Sequence, residues 1–229
     1  MIELRFDDQV AVVTGAGRGL GRQYALLLAE RGARVVVNDL GGSVTGGGAG
    51  GEPNSAATLE GGQAIIDTAL NTWGRVDILV NNAGTVSDAD FDGMTAERLT
   101  PLVDVHLKGA FFVTRPAWKV MRQRNFGRIV NTCSAAGILG APRMTNYGAA
   151  KTGLIGLTRV LAAEAAGLDI KINAIAPVAA TRMMEYSMGS AADVDNSEAE
   201  QLMRPFLDRL DPALVAPVVA YLAHADFPV

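Results

Sequence analysis

A glycine-rich turn between an apolar run and a helical pattern constrains this chain more than any other feature. The run Val10–Val13 is typical of a strand buried on both faces. The turn Thr14–Gly21 follows it, and apolar residues then recur at helical spacing up to Leu28. Backbone N–H groups and the positive end of a helix dipole would meet there, which predicts a pyrophosphate site. A tight strand-to-helix turn without a ligand is the alternative. The residues predicted to hold the ligand are Gly15, Arg18, Gly19, Leu20 and Gly21.

The rest of the chain alternates short apolar runs with helical patterns. Further strands are predicted at 35–37, 76–80, 128–132 and 170–175. Helices are predicted from the glycine turn to Gly32, before Trp73, and at 99–121, 147–165 and 212–224. This alternation predicts an α/β fold with a doubly wound parallel sheet of the Rossmann type, in a single domain over residues 1–229.

One interval breaks the alternation. Between Asp39 and the helix that leads to Trp73, the chain is glycine-rich from Gly41 to Gly51 and offers no strand. No strand follows His224 either. We expect the full polypeptide to carry a helix and a strand near 55–58 and a strand at its C-terminal end. A missing internal strand would leave a gap in the hydrogen-bond ladder of the sheet.

Composition excludes several classes of protein. The chain is 49% hydrophobic and 19% charged, which argues against disorder. Its net charge of −4 disfavours nucleic acid as a partner. Cys133 is the only cysteine, so a reducing compartment fits. The sequence shows no signal peptide, membrane span or metal site, and we expect a cytoplasmic protein.

Asp39 indicates which dinucleotide the turn would bind. It follows the second predicted strand, 18 residues (39 − 21) after Gly21, close to the spacing of an acid that bonds an adenosine ribose. A carboxylate there accepts hydrogen bonds from the 2′- and 3′-hydroxyls and repels a 2′-phosphate. NAD is therefore favoured over NADP. Arg18 argues the other way, because a guanidinium beside the turn would suit a 2′-phosphate.

Two further motifs carry candidate chemistry. Asn82, Ala83 and Gly84 follow a strand and would lie at the ligand edge of a parallel sheet. Tyr147 and Lys151 are four residues apart, on one face of a helix. An ammonium near the phenol would lower the tyrosine pKa and make it a general acid/base. By itself the pair could also be an ordinary surface contact.

In this order, the glycine turn, Asn81–Gly84, Ser134 and the pair Tyr147/Lys151 resemble the short-chain dehydrogenase/reductase family over nearly the whole chain. The resemblance implies that Ser134 holds the substrate oxygen and that Lys151 also binds the nicotinamide ribose. It further implies that one segment holds the nicotinamide carboxamide, with Val178 in place of the usual glycine. The contacts of that segment would be Pro177, Ala179 and Thr181.

Segments 37–42, 105–109, 114–118 and 215–217 are similar to one branch of that family, the dehydrogenase units of peroxisomal multifunctional enzymes of type 2. This resemblance implies NAD-dependent oxidation of (3R)-hydroxyacyl-CoA thioesters, with some activity on 17β-hydroxysteroids. His106 stands where most of the family has an asparagine that holds a helix kink and a proton-relay water. A core histidine without a role is equally open.

Other readings stay open for the substrate and the assembly. An NADPH-dependent 3-oxoacyl thioester reductase, a 17β-hydroxysteroid dehydrogenase and a non-catalytic regulatory protein are the alternatives. An apolar lid over a lipid or acyl-CoA would contain Met183, Met184, Met188 and Met203, and its phosphate contacts would come from Arg182, Arg204 and Arg209. The helices at 99–121 and 147–165 resemble the subunit contacts of the family, which predicts a homodimer or homotetramer.

Overall fold

A parallel sheet forms the centre of the computed structural model, which describes residues 4–45, 55–190, 205 and 209–227. In the described residues the sheet has five strands in the order β2-β1-β3-β4-β5. All four pairings are parallel, so the predicted doubly wound α/β sheet is confirmed. That the whole chain is one domain stays a prediction. The strands are β1 Val10–Thr14, β2 Arg34–Asn38, β3 Ile78–Asn81, β4 Gly127–Thr132 and β5 Ile170–Ile175.

Helices cover both faces of the sheet. Those in the described residues are α1 Gly19–Glu30, α2 Leu59–Trp73, α3 Ala96–Val103, α4 Gly109–Arg124, α5 Ala135–Leu139, α6 Thr145–Glu164, α7 Arg182–Ser190 and α8 Ala216–Ala223. The described residues also form two 3₁₀ turns, Phe91–Gly93 and Pro212–Leu214. The last predicted helix is thus divided into a 3₁₀ turn and α8.

Alternate side chains of β1 pack into two separate hydrophobic cores, one on each face of the sheet. Ala11 and Val13 pack with Tyr24 of α1 and with α8 on one face. Val10 and Val12 pack with α2 and α4 on the other face. Because β1 is buried on both faces, its run of apolar residues is continuous rather than alternating, as the sequence predicted.

The absence of a strand between Asp39 and α2 leaves no gap inside the described sheet. β1 pairs with β2 on one side and with β3 on the other, so its hydrogen-bond ladder is unbroken. β2 is an edge strand of the described sheet, and the side chain of Val37 is 56% exposed. A further strand would therefore extend an edge rather than fill the interior. The glycine-rich residues 46–54 lie outside the described residues.

The helical stretch predicted at 99–121 has an irregular centre. A π-helical turn, Asp104–Lys108, separates α3 from α4. A π turn holds more residues than an α turn, which rotates the residues after it relative to those before. Here the turn contains His106, whose side chain is only 2% exposed. The irregularity thus places an imidazole in the interior, next to the site described below.

Arg128 joins the end of the chain to the sheet. Its guanidinium is fully buried and donates hydrogen bonds to the carbonyl oxygens of Gly127, Asp169, His224 and Ala225, over 2.7 to 3.1 Å. Its Nη2 also lies 2.9 Å from the Asp169 carboxylate. A planar guanidinium matches this set because it offers five N–H groups in fixed directions.

Replacement of Arg128 should therefore destabilise the fold. In Arg128→Leu the buried carbonyl groups lose their donor, and we expect the free energy of unfolding to fall by roughly 3 kcal/mol or more. Urea unfolding measures the change. Arg122→Leu, at an exposed position of α4, is the matched control and should stay within about 0.5 kcal/mol of the parent. Equal stability of the two variants would contradict this role for Arg128.

Candidate active site

The carboxyl ends of the strands surround a cleft of about 1230 Å³. The chain leaves β1 toward β2 and then crosses to β3 on the other side, and ligands of such sheets bind at this reversal of strand order. Gly21, among the predicted site residues, does not line the cleft. The structure places the other predicted residues together along its wall: Gly15, Arg18, Gly19, Leu20, Asp39, Asn82, Ala83, Gly84, His106, Ser134, Tyr147, Lys151, Pro177, Ala179 and Thr181.

The glycine turn is shaped by close backbone contacts. Gly15 has a φ of +63°, and a Cβ there would lie 2.7 Å from the Cα of Ala83. A Cβ on Gly21 would meet the Gly15 carbonyl oxygen and lie 2.5 Å from Nδ2 of Asn82. Gly21 therefore lets α1 begin close to the turn, whereas Gly15 lets the turn approach the segment after β3. The turn keeps open the backbone cradle that a pyrophosphate requires.

Thr14 and Asn82 join the end of β1 to the segment after β3. The Thr14 hydroxyl accepts hydrogen bonds from the backbone N–H groups of Asn82, at 3.0 Å, and Ala83, at 3.1 Å. The Asn82 side chain donates in return to the carbonyl oxygens of Thr14, at 3.0 Å, and Gly15, at 3.1 Å. Sequence reasoning missed Thr14, although a hydroxyl residue at the end of an apolar strand was a usable signal.

Asp39 lies against the glycine turn, as its spacing predicted. One carboxylate oxygen accepts the Gly17 N–H at 2.8 Å and the other accepts the Gly41 N–H at 2.8 Å. A Cβ on Gly17 would lie 2.8 Å from the Asp39 Cγ. The carboxylate is thus held rigidly at the cleft wall, and each oxygen keeps a second lone pair for a ligand hydroxyl. Cradle and carboxylate together fit a dinucleotide cofactor.

Lys151 is a buried cation beneath Tyr147. Its side chain is 3% exposed, and Nζ donates a hydrogen bond of 2.6 Å to the carbonyl oxygen of Thr132, the last residue of β4. Burial away from water lowers the pKa of Lys151 to about 8. The side chain therefore remains mostly charged at neutral pH, and Nζ lies 5.5 Å from the centroid of the Tyr147 ring.

The pKa of Tyr147 differs from the sequence-based expectation. Desolvation by burial raises this pKa above its usual range, and a hydrogen bond with Ser134 offsets only part of the effect. The expected lowering by Lys151 is not met in this structure, where burial is the largest cause of the shift and Lys151 is not among the causes. Ser134 also caps α5, since its hydroxyl accepts the Ala136 N–H at 3.2 Å.

His106 contacts Tyr147 from the π-helical turn. The two rings meet edge to face, with centroids 5.2 Å apart and an interplanar angle of 84°. Nε2 of His106 lies 2.7 Å from the carbonyl oxygen and 3.0 Å from the amide nitrogen of Thr85. Burial lowers the pKa of His106 well below 6.5, and the charge of Lys151 lowers it further. A neutral imidazole therefore supports the Tyr147 ring.

Asn146 is a second residue that sequence reasoning missed. Its side chain is 2% exposed, and its oxygen accepts the Tyr147 N–H at 2.8 Å. Its Nδ2 donates to the carbonyl oxygens of Ser87, at 2.9 Å, and Arg98, at 3.2 Å. Asn146 thus ties the first turn of α6 to the segments around it and orients Tyr147. An amide residue directly before the candidate tyrosine was the available signal.

The predicted lid is described only in part. Met183 and Met184 of α7 line the cleft, together with Arg182. Arg204, Met203 and the side chain of Met188 lie outside the described residues. In the described residues, Arg209 is not among those that line the cleft.

The described part of the chain contains no group of three or more His, Cys, Asp and Glu residues that could hold a metal ion. It also contains no helix long and apolar enough to cross a membrane.

A neutral, buried His106 should make stability depend on pH. Above pH 6.5 the imidazole is neutral in both the folded and the unfolded chain. Below pH 6.5 the unfolded chain binds a proton that the folded chain does not. The free energy of unfolding therefore decreases as the pH is lowered, by at most about 1.4 kcal/mol per pH unit from this group. His106→Asn should lack this contribution when urea unfolding is measured between pH 5 and 7.

Lys108→Gln is the control for that experiment, because Lys108 lies exposed on the same turn. It should keep the pH dependence of the parent. Identical slopes for the parent and His106→Asn would show that His106 is not held neutral.

Comparisons with known proteins agree with this geometry. The family model described as Enoyl-(Acyl carrier protein) reductase matches residues 15–228. A peroxisomal multifunctional enzyme type 2 of Drosophila melanogaster is 45% identical over 97% of this chain, and the chain spans only 38% of that relative's length. A 3-oxoacyl-[acyl-carrier-protein] reductase of Synechocystis is 36% identical and covers 94% of this chain and 89% of its own length.

The solved structure of levodione reductase superposes with a TM-score of 0.84 at 30% identity, over 97% of this chain and 93% of that chain. The same fold thus extends over most of both chains. The chain belongs to the short-chain dehydrogenase/reductase family and is an oxidoreductase of that family.

Proposed function

We propose that the chain is an NAD-dependent dehydrogenase that interconverts a secondary alcohol and a ketone on a 3-hydroxyacyl-CoA or a related lipid. The observation that carries the proposal is that Tyr147, Ser134 and Lys151 line the same cleft as the glycine turn. A reacting carbon in this cleft would lie within reach of an acid/base and a dinucleotide.

Each of these side chains has a distinct role in the proposal. Tyr147 takes the proton of the substrate hydroxyl, while Ser134 donates a hydrogen bond to the same oxygen. Lys151 holds the end of β4 and keeps a positive charge 5.5 Å from the centroid of the Tyr147 ring. His106 is a positioning residue, because its edge-to-face contact limits rotation of the Tyr147 ring.

The raised pKa of Tyr147 sets a condition for this chemistry. Burial makes the phenolate costly, so Tyr147 is a proton donor at neutral pH and takes the alcohol proton only where that cost is offset. A bound nicotinamide cofactor would supply the hydride acceptor and, when oxidised, a positive charge. Within the protein, the hydrogen bond with Ser134 offsets part of the cost.

The choice of NAD rests on Asp39. Its carboxylate is fixed by two backbone N–H groups at the place where a ribose would lie, and a 2′-phosphate there would meet a negative charge. NADP is the alternative, which Arg18 favours because it lines the same part of the cleft. The proposed holders of the cofactor are Gly15, Arg18, Gly19, Leu20, Asp39, Asn82, Ala83, Gly84, Tyr147, Lys151, Pro177, Ala179 and Thr181.

The substrate class rests on the comparisons and on the apolar wall of the cleft. Met183, Met184 and Val86 line the same cleft as Tyr147, and such side chains suit an acyl chain or a steroid better than a polyol. The name of the Drosophila relative associates a similar sequence with a peroxisomal multifunctional enzyme. That of the Synechocystis relative favours the second candidate, reduction of a 3-oxoacyl thioester.

Assembly and location remain proposals. Phe111 on α4 and Val160 on α6 are 50% and 57% exposed on the helices that we propose as subunit contacts. Their burial against a second copy would give a homodimer or homotetramer. We keep a cytoplasmic location as a prediction, although the Drosophila relative is named as peroxisomal.

A substrate panel tests the proposed function. With NAD as the cofactor, (3R)-3-hydroxyacyl-CoAs of several chain lengths should be oxidised faster than a 17β-hydroxysteroid or a sugar alcohol. NADH absorbance gives kcat/KM for each. A preference for the sugar alcohol would contradict the lipid assignment. A preference for the steroid would contradict the thioester assignment alone.

Tyr147→Phe is the matched variant for the panel. It should reduce kcat by at least about 10²-fold, because the general acid/base is lost, and leave the affinity for NAD within about threefold. Unchanged turnover would remove Tyr147 from the proposed mechanism.

Asp39 should decide between the two dinucleotides. By calorimetry, the parent should bind NAD more tightly than NADP, and Asp39→Ala should narrow the difference by about tenfold or more, because the repulsion of the 2′-phosphate is lost. Glu164→Ala, at the far end of α6, is the control and should change neither affinity. Preference of the parent for NADP would make Arg18 dominant and favour the reductase.

A further inference from the structure

Arg143 has a backbone conformation that its side chain does not favour. Its φ is +66°, in the left-handed region. The other non-glycine residues of the described chain with positive φ are Asp8 and Asn125, whose short polar side chains tolerate this region, and neither lines the cleft. Strained residues persist where the surrounding structure holds them, and they cluster at ligand sites.

The surroundings of Arg143 explain how it is held. Its carbonyl oxygen accepts the backbone N–H of Ala89 at 2.9 Å, which ties the loop between α5 and α6 to the segment after β3. Arg143 lies four residues before Tyr147 and lines the cleft with Pro142 and Met144. Its place in the chain, between Ser134 and Tyr147, puts it near the proposed reacting groups.

The guanidinium of Arg143 has no partner within the described residues. Its Nε is buried without a hydrogen bond, and no ion pair within 4.0 Å joins it to a described carboxylate. Lys151, by contrast, already donates to Thr132. A buried N–H without an acceptor costs free energy unless a ligand supplies one.

We propose that Arg143 is a specificity-determining residue that binds an anionic oxygen group of the substrate, a carboxylate or a phosphate, beside Tyr147. The inference rests on the proposed function, because it assumes that the substrate reacts at Tyr147. A guanidinium presents paired N–H groups to such oxygens, and this pairing is lost in a neutral substrate. Arg143 thus favours substrates that carry an anionic group over neutral alcohols that fit the same apolar wall.

Three substrates that share one acyl group but differ in charge distinguish a phosphate from a carboxylate as the bound anion. They are (3R)-3-hydroxybutyryl-CoA, which carries phosphates, its N-acetylcysteamine thioester, which is neutral, and free (3R)-3-hydroxybutyrate, which carries a carboxylate. Arg143→Gln should lower kcat/KM roughly 10- to 100-fold for whichever anionic substrate the parent prefers, and by less than about threefold for the neutral thioester. Arg143→Lys should recover part of the loss, and Arg124→Gln, at the exposed end of α4, should have no effect.

Arg143→Gly separates binding from folding. Glycine adopts positive φ without strain, so this variant should melt at a higher temperature than the parent while it loses the same selectivity as Arg143→Gln. Equal losses for all three substrates, or no loss for any, would overturn the inference. Failure of the parent to oxidise any of the three, while NAD still binds, would instead overturn the proposed function and the inference with it.

Discussion

The hydrogen bond between the Lys151 ammonium and the Thr132 carbonyl is the contact on which the site depends. It joins α6 to the end of β4, so the helix that carries Tyr147 has a fixed position relative to the sheet. No carboxylate of the described residues forms an ion pair with Lys151. Its charge is therefore held by a single carbonyl, and burial lowers its pKa to about 8.

This buried cation explains the residues around it. A charged histidine at position 106 would repel Lys151, and burial together with that repulsion keeps the imidazole neutral. Neutral His106 can then pack edge to face against Tyr147, while Asn146 fixes the backbone of the same tyrosine. Ring, backbone and underlying charge are each held by a different element, which fixes the position of the proposed acid/base.

Most of the fold and most of the residues that line the cleft could be predicted from the sequence. Strands buried on both faces give continuous apolar runs, and the spacing of Tyr147 and Lys151 defines one face of a helix whatever surrounds it. Periodicity did not predict the π-helical turn, because a bulge leaves the local helical pattern nearly unchanged, although the family resemblance indicated a helix kink at position 106. The direction of the Tyr147 pKa shift was also missed, since it depends on how deeply the folded chain buries the phenol. The edge position of β2 likewise depends on strand order, which periodicity does not encode.

The central claim is that the cleft transfers hydride from the carbon bonded to the oxygen that Tyr147 and Ser134 hold. The direct measurement uses (3R)-3-hydroxybutyryl-CoA deuterated at C3, with mass spectrometry of the cofactor after the reaction. Our account predicts deuterium in the reduced cofactor with the parent protein and almost none with Tyr147→Phe over the same time. Reduced cofactor without deuterium, or equal labelling with both proteins, would contradict it.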